Sequence, residues 1–258
     1  TCNLKCVYCN PKQSSLIAAE QKISVNKIDP AHIDQIIQMV VKNQFGMKEI
    51  YMSGGEPLLI KHNYRLLSSL DNKNIPLRIN SNITLATDSN PVFNEVKKFK
   101  NVLWTISADT QGKKFNYIRS GSDWEQVLAN LENIKNLGHQ IRLNCVFFIA
   151  NIIDMFDTIE YFITNYGITD ITVNKLYDHP AMRARNANNE LKEQSRQRLQ
   201  QLLNSGLLEK NSNSYFNIAR CHDELNKPVE SVTGYRDYFD HLDRIRGTNW
   251  RDIFPELK

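Results

Sequence analysis

The amino-acid sequence predicts an α/β fold, and three observations carry that reading. From Lys48 to about Leu176 short β-rich runs alternate with amphipathic helical stretches. Strands separated by helices imply parallel βαβ units. Within the β-rich runs alternate positions are polar, which sorts each strand into an apolar and a polar face. Beyond about Tyr177 the alternation stops, so residues 1–177 are expected to form the α/β part and 178–258 a helical or mixed C-terminal extension that covers it.

Taken in chain order, Ile33, Ile36, Ile37 and Val40 form a first helical face. Strands are expected at 48–53, 76–82, 102–109, 140–149 and 169–176. Trp124, Val127, Leu128, Leu131 and Ile134 recur at helical spacing behind Ser122-x-x-Glu125, a capping-box pattern. Ile152, Met155, Phe156, Ile159, Phe162 and Ile163 make the next apolar face. In the extension a charged helix runs from about Leu191 to Leu203, followed by an Asn/Ser-rich stretch from Asn211 to Asn217. A last amphipathic helix carries Tyr238, Leu242 and Ile245 and ends in Arg246-Gly247-Thr248-Asn249-Trp250.

Parallel strands covered on both faces read as continuous apolar runs, and these do not. Tyr51 and Ser53, Arg78, Asn80 and Asn82, Thr105, Ser107 and Asp109, Arg142 and Asn144, and Thr172 and Asn174 lie on one side. Ile79, Ile106, Ile141, Leu143, Ile171 and Val173 lie on the other. A polar inner face implies a cavity that holds a polar ligand. Arg142 is expected to point into that cavity and, without a ligand, to pair with an acidic side chain or water.

Composition narrows the class without choosing a function. With 41% hydrophobic and 23% charged residues in a chain of 258, this is an ordinary globular protein. No apolar run approaches the roughly 18 residues of a membrane span, and no signal peptide is visible, so a cytoplasmic protein without membrane contact is expected. The net charge of +4, from 32 basic and 28 acidic residues, does not indicate a nucleic-acid partner.

The cysteines are the sharpest signal. Three of the five, Cys2, Cys6 and Cys9, fall within eight residues, while Cys145 and Cys221 stand alone. Thiolates so crowded select zinc, copper(I) or iron-sulfur centres, and three ligands suit a cluster with one open iron. A second motif, Gly54-Gly55-Glu56-Pro57, follows the strand-like run Lys48–Ser53. Paired glycines admit close backbone approach to a ligand, and a carboxylate after them can accept hydrogen bonds from an ammonium group.

Cys2-x3-Cys6-x2-Cys9, with Tyr8 before the last cysteine, resembles the signature of the radical S-adenosylmethionine (SAM) superfamily. Cys9-Asn-Pro-x-x-Ser-Ser15, Asn116-Tyr-Ile-Arg119-x-Gly121, Ser122-Asp-Trp124 and Arg246-Gly-Thr-Asn-Trp-Arg251-Asp-Ile-Phe-Pro255 are similar to those of twitch domain-containing radical SAM proteins. The resemblance implies a partial (β/α)6 TIM-like barrel whose first strand precedes residue 1. It also implies a 4Fe-4S cluster on Cys2, Cys6 and Cys9, and SAM cleaved reductively to a 5′-deoxyadenosyl radical that takes hydrogen from a substrate. The one-electron reductant would be flavodoxin- or ferredoxin-like, and the substrate a peptide, sugar or nucleotide.

On this resemblance Gly54, Gly55 and Glu56 hold the methionine end of SAM, and Tyr8 lies near the adenine. Ser107 and Asp109 are expected at the ribose, Arg119 at the SAM carboxylate, and Asn144 within reach of the cofactor. Arg78, Asn80, Asn82, Arg142 and Asn174 remain as candidates for contacting substrate. Twitch modules of many relatives hold a second cluster on further cysteines; here Cys145 falls on an apolar strand face, where a buried free cysteine is the better reading. The rival readings are a SAM methyltransferase, which needs no cysteine cluster, and a non-catalytic SAM and iron-sulfur binding protein on the same fold.

Overall fold

The structure, a computed structural model, describes residues 1–25, 28–230 and 234–258. Its strands are β1 (Lys5–Cys6), β2 (Ile50–Met52), β3 (Leu77–Ser81), β4 (Val102–Ser107), β5 (Arg119–Ser120), β6 (Gln140–Phe147) and β7 (Ile171–Lys175). Its α-helices are α1 (Ser15–Glu20), α2 (Pro30–Lys42), α3 (Lys61–Ser68), α4 (Pro91–Val96), α5 (Gly112–Ile118), α6 (Trp124–Asn136), α7 (Asp154–Tyr166), α8 (Asn189–Asn204), α9 (Asn213–Ala219), α10 (Cys221–Leu225), α11 (Tyr235–Arg246) and α12 (Trp250–Ile253). All five expected strands are present. Past Tyr177 the described residues contain helices and turns but no strand.

The chain forms two compact units. The first comprises Thr1–Lys5, Cys9–Ser107 and Gly121–Ile141; the second comprises Cys6–Tyr8, Ala108–Ser120 and Arg142–Lys258.

In the first unit β2, β3 and β4 run parallel, with Tyr51 opposite Arg78 and Asn80 opposite Thr105. Along β3, Leu77, Ile79 and Ser81 are buried while Arg78 and Asn80 are half-buried, so the period-two pattern is realised. Trp104, Phe93 and Leu67 lie in the core beneath. α6 starts at Trp124, but its cap is Asp123, whose carboxylate accepts the Glu125 N–H, and not the Ser122 of the expected capping box. Asp123 stands one residue nearer the helix in extended backbone, where its carboxylate reaches that N–H. α2 departs more: none of its 13 residues is fully buried, with Ile33, Ile37 and Val40 half-buried and Ile36 exposed.

In the second unit β6 and β7 run parallel with Leu143 opposite Ile171 and Asn144 opposite Thr172. Met155, Phe156, Ile159 and Phe162 of α7 are buried. The Ser214 hydroxyl of α9 accepts the Ile171 N–H at 2.9 Å. Near the C-terminus Phe239, Trp250 and Phe254 are buried together, with the Phe239 and Phe254 rings stacked 6.3 Å apart. β4 ends two residues earlier than expected. Ala108 N–H donates to the Asn144 carbonyl, and then the Asp109 carboxylate replaces a backbone rung by accepting the Val146 N–H at 2.8 Å.

Among the described residues no helix is long and apolar enough to cross a membrane.

Candidate active site

In the first unit the Gly-Gly-Glu-Pro loop is built against the start of the cysteine segment. Gly54 and Gly55 take φ values of +82° and +53°. A Cβ on Gly55 would lie 1.9 Å from the Thr1 carbonyl oxygen, so only glycine fits. Glu56 N–H donates to that carbonyl at 2.8 Å.

The Glu56 side chain turns inward. It is fully buried; Oε1 accepts the Leu58 N–H and the Ser81 hydroxyl at 3.0 and 2.8 Å, and Oε2 accepts the Asn82 N–H at 2.8 Å. Burial pushes its carboxyl above the ordinary value, and the three donors oppose that rise. The Glu56 carboxylate thus braces the loop against the end of β3. Asn82 extends this brace by donating to Asn3 Oδ1 at 3.1 Å and to the Cys2 sulfur at 3.9 Å. Asn3 in turn donates to the Thr84 hydroxyl at 2.8 Å.

The flanks of the cysteine segment are held in the same unit. Ser14 caps α1 and donates to the Leu4 carbonyl at 2.7 Å, and Lys5 pairs with Glu20 at 2.9 Å. Cys9 faces the Asn10 carbonyl and Gln13 Oε1.

In the second unit a different cluster forms around Asp109. Its Oδ2 accepts the Tyr8 hydroxyl at 2.7 Å and pairs with Arg119 at 2.8 Å, while Arg119 also donates to the Tyr8 oxygen at 2.6 Å. Asp109 is fully buried, and Arg119 is 5% exposed, not a surface arginine. Burial disfavours the Arg119 charge, but Asp109 and Tyr8 outweigh it and hold the guanidinium above its ordinary pKa. Burial likewise pushes the Tyr8 phenol well up. The Tyr8 ring packs edge-on to Phe148 at 5.3 Å. Asn151 locks the cluster by donating to the Asp109 and Val146 carbonyls at 3.0 and 2.7 Å. Both Asp109 oxygens thus accept hydrogen bonds from protein donors.

A family model described as "Radical SAM superfamily" matches residues 1–162. The chain belongs to the radical SAM superfamily. Curated relatives include a GTP 3′,8-cyclase of Listeria monocytogenes, 26% identical over 150 residues, which are 56% of this chain and 42% of that protein. A GTP 3′,8-cyclase of Clostridium botulinum is 27% identical over 153 residues, covering 56% and 44%. The chain thus matches less than half the length of these relatives. Among solved structures, Streptococcus suis SuiB bound to its precursor peptide SuiA has a TM-score of 0.54 at 18% identity, covering 95% of this chain and 52% of that one. The anSMEcpe structure with bound AdoMet has a TM-score of 0.55 at 20% identity, covering 80% and 59%. At these identities the likeness concerns the fold, and the expected α/β radical SAM architecture holds.

Radical SAM proteins use a 4Fe-4S cluster and SAM as cofactors. The donor chemistry here fits that cluster: three half-buried thiols within eight residues, soft ligands one short of a closed tetrahedral site. Cys145 and Cys221 are buried, and burial pushes the Cys221 thiol up to about 12 and the Cys145 thiol well above its ordinary value. Such thiols are poor ligands.

The remaining expected residues are engaged with one another. Arg78 pairs with Glu49 at 2.8 Å with its guanidinium over the Tyr51 ring, and Asn80 donates to the Tyr51 hydroxyl at 2.6 Å. Arg142 is paired with Asp170 at 2.9 Å through Nε and Nη2, and Asn174 donates to Asn144 Oδ1 at 2.7 Å. The expected acidic partner of Arg142 exists, but Arg78 and Arg142 sit toward the N-terminal ends of their strands. The Gly-Gly-Glu-Pro loop, Asn82 and Asp109 follow the C-terminal ends, where ligands of parallel α/β folds bind. Ser107 closes β4 half-buried.

Asn3, Thr84 and Asn151 are parts of these clusters that sequence reasoning missed. Asn3 lies inside the cysteine motif and could have been marked from it; nothing local marks the others.

Proposed function

We propose that this protein is a radical SAM enzyme whose 4Fe-4S cluster is held by Cys2, Cys6 and Cys9. When bound and reduced, the cluster would supply one electron to SAM, breaking the bond between its sulfonium and the 5′ carbon to give methionine and a 5′-deoxyadenosyl radical able to abstract hydrogen from a peptide, sugar or nucleotide substrate. The observation that carries this reading is the seating of Gly55 on the Thr1 carbonyl, beside Cys2, in a chain matched by the superfamily over residues 1–162. That seating places an open backbone turn of Gly54 and Gly55 next to the cysteine segment, and the turn receives the methionine end of SAM.

The chain's own residues then divide the work. Glu56 and Asn82 hold the turn in shape. Asp109 and Arg119 hold Tyr8, which is assigned to the adenine of SAM. Ser107 and Asn144 are assigned to SAM as well, and Asn80 and Asn174 to substrate. Residues 178–258 act as a twitch-like extension of a barrel that ends near residue 177, in a cytoplasmic protein reduced by a small one-electron carrier.

The test is anaerobic reconstitution followed by reduction in the presence of SAM. Formation of 5′-deoxyadenosine, lost in Cys6→Ala, is expected. A protein that takes up iron and SAM but forms no 5′-deoxyadenosine would instead be the non-catalytic binding protein.

A further inference from the structure

Val7, between Cys6 and Tyr8, is buried, and both of its backbone polar groups are taken. Its N–H donates to the Ile118 carbonyl at 2.8 Å, and its carbonyl accepts the Tyr238 hydroxyl at 2.8 Å. Tyr238 lies in the first turns of α11, far along the chain, and its ring packs 5.1 Å from that of His179.

The helix that carries Tyr238 is tied back to the same loop. The Asp243 carboxylate accepts the Tyr117 hydroxyl at 2.9 Å and the Trp250 N–H at 2.6 Å, and it also accepts the Thr248 hydroxyl. Tyr117 immediately precedes Ile118. The closing Gly247-Thr248-Asn249-Trp250 motif, for which the proposed reaction has no use, thereby completes a circuit: Asp243 to Tyr117, Ile118 to Val7, and Val7 to Tyr238.

We propose that Tyr238 is a positioning residue for the cysteine segment, with Asp243 fixing the helix from which it reaches. Holding both the N–H and the C=O of one residue restrains the dihedrals on either side of it. Those dihedrals set where Cys6 and Tyr8 point. The proposal rests on the reading of Cys6 as a cluster ligand, and it gives the C-terminal helix a role in retaining the metal in addition to any contact with substrate.

Tyr238→Phe keeps the ring against His179 and removes only the hydroxyl. Tyr235→Phe is the matched control: Tyr235 sits in the same helix and donates to the Leu257 carbonyl at 2.9 Å, away from the loop. Reconstituted proteins are challenged with an iron chelator, and the reduced clusters are compared by electron paramagnetic resonance. Tyr238→Phe is expected to release iron about two- to tenfold faster than wild type and to show an altered spectrum, the range that loss of one hydrogen bond allows. Tyr235→Phe is expected to match wild type in both, even where the two variants lose similar thermal stability. Equal iron release by the two variants would overturn the proposal. If wild-type protein takes up no iron, the cofactor reading fails, and alkylation of Cys6 in the iron-free proteins decides instead. Faster alkylation in Tyr238→Phe than in Tyr235→Phe sustains the positioning role, and equal rates end it.

Discussion

Each unit contains a fully buried carboxylate, and the two are satisfied in opposite ways. Glu56 is surrounded by neutral donors alone: two backbone N–H groups and the Ser81 hydroxyl. Asp109 has a guanidinium against it, with the Tyr8 hydroxyl and the Val146 N–H as further donors. A buried carboxylate without a counter-ion keeps its charge only as well as its donors are aimed, so Glu56 dictates the shape of the loop around it. A buried ion pair instead makes each partner costly to remove alone. The first arrangement shapes a backbone, and the second anchors a side chain.

The largest expected effect is outside both carboxylates, at the loop that Glu56 shapes. Gly55→Ala must displace the Thr1 carbonyl and hold a left-handed backbone that alone costs about 1–3 kcal/mol. Iron uptake on reconstitution is expected to be lost; an iron content equal to wild type would mean that the loop does not support the cysteine segment.

Asp109→Asn comes next. It strands the Arg119 charge in a buried site, a class of change that costs about 3–5 kcal/mol, measured by denaturant unfolding of the iron-free protein. Adding Arg119→Met should restore part of that loss, because the stranded charge is gone. Strict additivity in the double variant would show that the pair is not coupled.

Glu56→Gln is expected to cost less, about 1–3 kcal/mol, because one donor then faces an amide N–H and no cation is stranded. Because the end of β3, Asn82 and Cys2 share this brace, the variant should lower iron retention as well as SAM binding. Equal costs for Glu56→Gln and Asp109→Asn would erase the contrast between the clusters.

The smallest effect is the pH dependence of that same variant. Since the folded-state carboxyl of Glu56 lies above its ordinary value, the folded protein holds this proton more tightly than the unfolded chain. Its contribution to stability therefore falls as pH rises from the ordinary carboxyl value through the raised one. Wild type should lose ground to Glu56→Gln across that window; the opposite slope would contradict the direction of the shift.

Much of this was legible in the sequence. The three cysteines, the paired glycines and the strand alternation each depend on local spacing, and local spacing is what a sequence displays. What spacing does not display is the partner of a polar side chain. Glu56, Asp109 and Arg119 are ligand-binding types in ligand-binding places, yet their partners arrive from β3, β6 and the cysteine segment. Arg78 and Arg142 alternate with apolar neighbours as the sequence shows, but Glu49 and Asp170 claim them near the N-terminal edge. Tyr238 was visible only as one residue of an amphipathic helix, because its partner Val7 lies 231 positions away.

The half-buried face of α2 has a kinetic meaning. An element whose apolar residues are nowhere fully buried opens at a free energy below that of global unfolding. Its visible tie, the Asp34–Arg65 pair, is about half exposed on both sides and adds little. Amide protons of residues 30–42 should accordingly exchange with solvent far sooner than those of α7, where Met155, Phe156 and Ile159 are fully buried. Met39, at 58% exposure, would be the first methionine to become a sulfoxide, while the fully buried Met155 and Met182 stay reduced.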